Sequence, residues 1–94
     1  MTTVLTLVAL VEFTAGAEAA GKHYEDTVLA LLGRHGGHLE RRLRGIDERA
    51  EVHVIRFDAR AGYEAFLADP ERSALRAALG GSAPTTRVIE VYEA

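Results

Sequence analysis

Arginine is concentrated in one short stretch of this chain. Arg41, Arg42 and Arg44 fall within HLERRLR, residues 38–44, and Arg56 lies in EVHVIRF, residues 51–57. A guanidinium stays charged and offers its donors in a planar fork, which suits carboxylates and other oxyanions. On strands with a covered face such groups must pair or bind something, because an unpaired buried charge is expensive. Glu12, Glu40 and Glu90 are strand-borne carboxylates able to neutralise them, and Tyr92 adds a hydroxyl at the end of the last apolar run. Two chemistries follow. Arg42 and Arg56 bind an anionic or carbonyl group of a small ligand, or they form bridges to those glutamates.

The histidines suggest acid–base work more than metal binding. His23 and His35 are too far apart on one helical segment to share an ion, and no HExxH or comparable ligand spacing occurs. His38 follows a Gly-Gly turn, within reach of His35, and His53 sits mid-strand. His35 reads as a residue at the edge of the core. His23, beside Tyr24, is the acid–base candidate. No metal and no cofactor is expected. The chain has no Trp, Asn or Gln, so mechanisms that need an indole or a side-chain carboxamide are ruled out.

The elements that position these residues are legible from periodicity. Residues 4–13, VLTLVALVEF, are apolar on both alternations, as in a strand covered on both faces. Thr14 is a candidate cap for a helix over 17–35, whose apolar face is Tyr24, Val28, Leu31, Leu32 and His35, with Gly36 at the left-handed C-cap. Residues 38–44 place Leu39, Arg41 and Leu43 on one side of a strand and His38, Glu40, Arg42 and Arg44 on the other. Gly45–Glu48 turns into a strand over 51–57. Asp58 is expected to cap a short helix through Ala68, and Asp69-Pro70-Glu71 starts another. Residues 86–92 form the last strand. This order is that of an α+β ferredoxin-like βαββαβ sandwich, a four-stranded antiparallel sheet with its helices on one face.

Ninety-four residues make one expected domain, 1–94, with a thin core. Cysteine is absent, which excludes disulfides and iron–sulfur ligation. A formal net charge of -3 with dispersed basic residues argues against nucleic acid as a partner. The stacking aromatics of an RNA-recognition sheet are also missing. The apolar start lacks a positive n-region and is shorter than the about 20 residues of a membrane span, so no membrane association and a cytoplasmic location are expected. Two helices cover one sheet face only. The apolar residues on the other face call for a partner, most simply a second copy packed sheet to sheet about a two-fold axis.

The Gly36-Gly37 helix end, Arg42 beyond it, the strand ending at Phe57 and the segment FLADPERSALR, residues 66–76, together resemble the dimeric α/β-barrel superfamily across nearly the whole chain. The resemblance is to a small uncharacterised branch, distantly similar to antibiotic-biosynthesis monooxygenases. It implies a cavity on the sheet face away from the helices. With Phe57 under the helices, Val52, Val54 and Arg56 would face that cavity, joined by Glu12, Glu40, Arg42, Glu90 and Tyr92. Quinone-forming and haem-degrading members resemble one another in Asn and Trp residues that this chain lacks. The function implied is a ligand-binding or accessory dimeric barrel. The alternative is a cofactor-independent isomerase, cyclase, lyase or monooxygenase-like enzyme acting on a small aromatic or polyketide-like compound. In that alternative His23, Tyr24, Arg42, Arg56 and Tyr92 supply the acid–base and oxyanion roles.

Overall fold

The computed structural model describes residues 3–94. Four strands, β1 (Leu5–Glu12), β2 (Gly37–Arg44), β3 (Ala50–Phe57) and β4 (Thr85–Val91), form one antiparallel sheet in the order β2-β3-β1-β4. Three α-helices, α1 (Glu18–Leu29), α2 (Arg60–Leu67) and α3 (Pro70–Leu79), connect them. This is the expected ferredoxin-like sandwich. Leu5, Leu7, Ala9 and Val11 of β1 and Ile55 and Phe57 of β3 are buried on the helix side, against Tyr24 and Val28 of α1 and Phe66 of α2. The other face of the sheet turns away from the helices, and there Leu10 of β1, Leu43 of β2 and Ile89 and Val91 of β4 stay exposed.

The helix expected over 17–35 is broken. It ends at Leu29, and a 3₁₀ turn over Leu32–His35 follows before Gly36 closes the segment at φ 69°. The tighter turn brings Leu31 and Leu32, adjacent in sequence, into the core together. Thr14 does not cap α1, since its hydroxyl donates to the Ala83 carbonyl at 3.0 Å and holds the start of α1 to the loop before β4. Asp58 does not cap α2 either. Its carboxylate takes hydrogen bonds from His38 and Arg56, both at 3.0 Å, on the far side of the sheet. Asp69 does cap α3, accepting from the Glu71 amide at 2.9 Å, and also from the His35 ring at 2.7 Å. The capping aspartate thereby joins α3 to the 3₁₀ turn. His35 is half-buried there, at the edge of the core as its position suggests.

One close approach sets where α2 lies. A Cβ on Gly62 would stand 2.2 Å from the His35 carbonyl oxygen, so only glycine lets α2 rest on the 3₁₀ turn. Tyr63 and Phe66 then stack around Phe57, with ring centroids 5.5 and 5.8 Å from it.

Candidate functional site

Alternation along β3 sends Glu51 and His53 to the same side as Ile55 and Phe57, beneath the helices. Both are almost fully buried, at 1% and 2% exposure. A buried carboxylate must find donors, and β2 supplies them. Between Leu39 and Arg41 the β2–β3 register shifts, so that Glu40 is the extra residue of a bulge. Beyond it Arg42 lies opposite His53 and Arg44 opposite Glu51, on the helix side. Arg42 donates from Nε to Glu51 Oε1 at 2.9 Å, and Arg44 donates from Nε to Oε2 at 2.8 Å. Arg42 also reaches up to Asp26 of α1 at 2.7 Å.

His53 Nε2 lies 2.7 Å from Glu51 Oε1. Burial alone would raise the Glu51 carboxyl, but hydrogen bonds from Arg42, His53 and Arg44 outweigh it and hold the group at about 2. An ionised carboxylate only accepts, so Nε2 carries the hydrogen of the His53 ring. Burial lowers the His53 pKa, only partly opposed by Glu51, and the ring is neutral at pH 7. A neutral ring protonated at Nε2 leaves Nδ1 as a free base.

Above this network lies a cavity of about 240 Å³ between the sheet and the helices. Its walls are mainly apolar, with Leu7, Ala9 and Ile55 from the sheet and Val28, Tyr63 and Phe66 from the helices. Its polar groups are Tyr24, Glu25, His53, Arg72 and Arg76, together with Thr86 of β4. Glu25 is buried on α1. Burial and the nearby Glu51 charge raise its carboxyl to about 7, against the opposing pull of Arg42, Arg72 and Arg76. Arg72 and Arg76 stand one turn apart on the same face of α3. The exposed members, Leu67 of α2, Arg76 of α3, and Thr86 and Val88 of β4, mark the mouth of the cavity. Among the described residues no three of His, Asp and Glu converge as metal ligands.

The structure does not gather the residues that the sequence marks into one site. The cavity lies under the helices and not on the far face, because Phe57 and its neighbours leave space between sheet and helices. Tyr24 is buried and lines it. His23, its neighbour on α1, is exposed on the outer side of the helix. Arg42 and Arg56 are on opposite faces of the sheet, because the bulge at Glu40 inverts the alternation between His38 and Arg42. Arg42 belongs to the Glu51 network. Arg56, on the far face, bridges Glu40 at 2.7 Å and Asp58 at 3.0 Å. Glu12 is on the far face, at the end of β1 beside Thr85. Glu90 is on the helix side of β4, ion-paired with Arg60 of α2. Tyr92 lies beyond β4 and is 89% exposed.

Sequence reasoning passes over Glu51, His53, Glu25, Arg72 and Arg76. The signal for the first two is the parity of EVHVIRF. Any reading that buries Phe57 also buries His53 and Glu51.

Similarity to known proteins follows fold, not sequence. No protein-family model matches the chain, and no curated protein matches it. Solved structures do match. SnoaB, a cofactor-independent oxygenase from Streptomyces nogalater, superposes with a TM-score of 0.73 at 19% identity, covering 97% of this chain and 95% of that one. A Nitrosomonas europaea protein provisionally named an antibiotic biosynthesis monooxygenase gives 0.79 at 11% identity, covering 99% and 92%. The chain has the fold of the antibiotic biosynthesis monooxygenase-like proteins. A second Nitrosomonas europaea protein, of unknown function, is 25% identical over 99% of this chain and 93% of its own, with a TM-score of 0.68. Monooxygenase-like proteins of this fold match from end to end, which agrees with the distant resemblance read from the Gly36-Gly37 and 66–76 segments.

Proposed function

We propose that this protein binds a small, largely apolar organic molecule in the cavity between its sheet and its helices, and that it does so as a homodimer. The observation that carries the binding reading is the cavity itself. It combines apolar walls with a few converging polar groups, the usual composition of a small-molecule site. The dimer reading rests on the opposite sheet face, where Val8, Val52 and Val54 are half-buried and Leu10, Leu43 and Ile89 are exposed. Arg41, Arg56 and Arg87 share that face with Glu12 and Glu40, a mixture of charge that a two-fold axis can make self-complementary.

A second reading has its own observation. His53 lines the cavity and Glu51 holds its Nε2, which leaves Nδ1 as a neutral base, the pattern of a general base held by a third group. A ligand with an acidic carbon or hydroxyl would lose that proton to His53. The reaction would then be a cofactor-independent proton transfer of the isomerase, cyclase or lyase kind.

Native mass spectrometry on gently purified protein tests the binding reading. A dimer carrying a small-molecule adduct is expected, and Val28→Trp, which fills the cavity, abolishes the adduct. Retention of the adduct by the filled variant places the ligand elsewhere and overturns the reading.

A further inference from the structure

Arg72 presents an unmet need inside this cavity. Its Nε is buried and has no hydrogen-bond partner, although buried polar atoms are nearly always satisfied. The guanidinium is otherwise fixed. It lies over the Phe66 ring, 5.2 Å from the centroid, and its Nη1 donates to the Leu67 carbonyl at 3.5 Å. Arg76, one turn further along α3, stands at the mouth. Among the described residues neither arginine has a salt-bridge partner, whereas Arg34, Arg42, Arg44, Arg56 and Arg60 all do.

The charges around the cavity leave these two arginines incompletely compensated. Glu51 is neutralised by Arg42 and Arg44 before it reaches the cavity. The carboxyl among the lining residues is Glu25, which burial and the Glu51 charge raise to about 7, so it gives these arginines only a partial counter-charge at neutral pH. A guanidinium with no salt-bridge partner, lining a mainly apolar chamber, matches a single carboxylate better than a heavily hydrated polyanion.

We propose that Arg72 and Arg76 form the anion-binding end of the cavity, and that the ligand is a small organic acid whose apolar body fills the chamber and whose carboxylate meets the Arg72 fork. This deepens the small-molecule reading and rests on it. Glu25 beside the carboxylate would donate a hydrogen bond in its protonated form, so binding of the acid also takes up a proton at neutral pH.

Calorimetric titration of the intact protein at pH 6.5 with 2-naphthoate and with its uncharged isostere 2-naphthamide tests the proposal. Naphthoate is expected to bind about tenfold or more tightly than the amide, the worth of one charge-assisted hydrogen bond. Arg72→Met, which keeps the packing on Phe66, removes that preference and leaves amide binding within about twofold. Arg72→Lys keeps the charge without the fork, and loses part of the preference. Equal affinity of the two ligands for the wild type overturns the anion subsite, as does a preference that survives Arg72→Met. In both cases the cavity stands as a neutral-ligand site. If neither compound binds, the small-molecule reading falls and the subsite falls with it.

Discussion

Two buried glutamates on adjacent elements are driven in opposite directions by what surrounds them. Glu51 takes hydrogen bonds from Arg42, His53 and Arg44 and stays ionised, while burial and the Glu51 charge outweigh the nearby arginines at Glu25, which holds its proton to about pH 7. The folded pKa of Glu51 is depressed, so its contribution is complete above the unfolded value of 4.5 and fades as pH falls toward 2. Glu51→Gln removes the charge that Arg42 and Arg44 share and turns one of their acceptor oxygens into an NH2 donor. It is expected to cost about 3 kcal/mol at pH 7, with the gap to wild type narrowing at pH 3, read by denaturant unfolding. Glu25 has the opposite sign. Its folded pKa is raised, so the wild type loses stability as pH rises from 4.5 to about 7. Glu25→Gln should therefore melt with the wild type at pH 4.5 and above it at pH 8. A variant that is less stable than wild type at pH 8 would show that Glu25 is held by an ion pair.

The element that decides which charges meet is the bulge in β2. Glu40 is the surplus residue, since Leu39 lies opposite Ile55 and Arg41 opposite Val54. Deleting Glu40 therefore leaves every other pair in register and removes only its bridge to Arg56. The deletion variant is expected to fold with a cooperative transition and to keep the Arg42–Glu51 contact, within about 1 kcal/mol of wild type. The exposed Glu40–Arg56 pair carries little of the stability. Gly62→Ala should behave differently, because the added methyl meets the His35 carbonyl and forces α2 off the 3₁₀ turn. A loss of about 2 kcal/mol in chemical denaturation is expected there. These elements also mark how far the sequence could be read. Strand and helix order, the Asp69 cap and the Gly36 turn follow from local chemistry that each segment carries by itself. The bulge does not, because HLERRLR alternates plausibly in either parity and only pairing with β3 selects one. In an unbroken alternation Arg42 and Arg56 share a face, whereas the bulge puts them on opposite faces and gives Arg42 to Glu51 and His53. Thr14 and Asp58 misled for a related reason, since tertiary partners outbid the local cap.

At the scale of the whole molecule, the two faces of the sheet carry two different roles. The helix face holds the core and the cavity, and its buried Glu51 is paired with Arg42 and Arg44. The far face is apolar at its centre and charged at its rim, and among the described residues no element covers it. The four exposed apolar side chains there, Leu10, Leu43, Ile89 and Val91, come from strands β1, β2 and β4, so the patch spans the width of the sheet. A patch of that breadth favours sheet-on-sheet packing with an identical copy, where each apolar row meets another. Val54→Asp puts a charge at the centre of this face, on a strand interior to the sheet, without touching the cavity side. Light scattering after size-exclusion chromatography should give a dimer for the wild type and a monomer for Val54→Asp. The monomer should keep naphthoate affinity within a few fold if the cavity is built by one chain. A wild type that runs as a monomer at high micromolar concentration would remove the far face from the account of this protein.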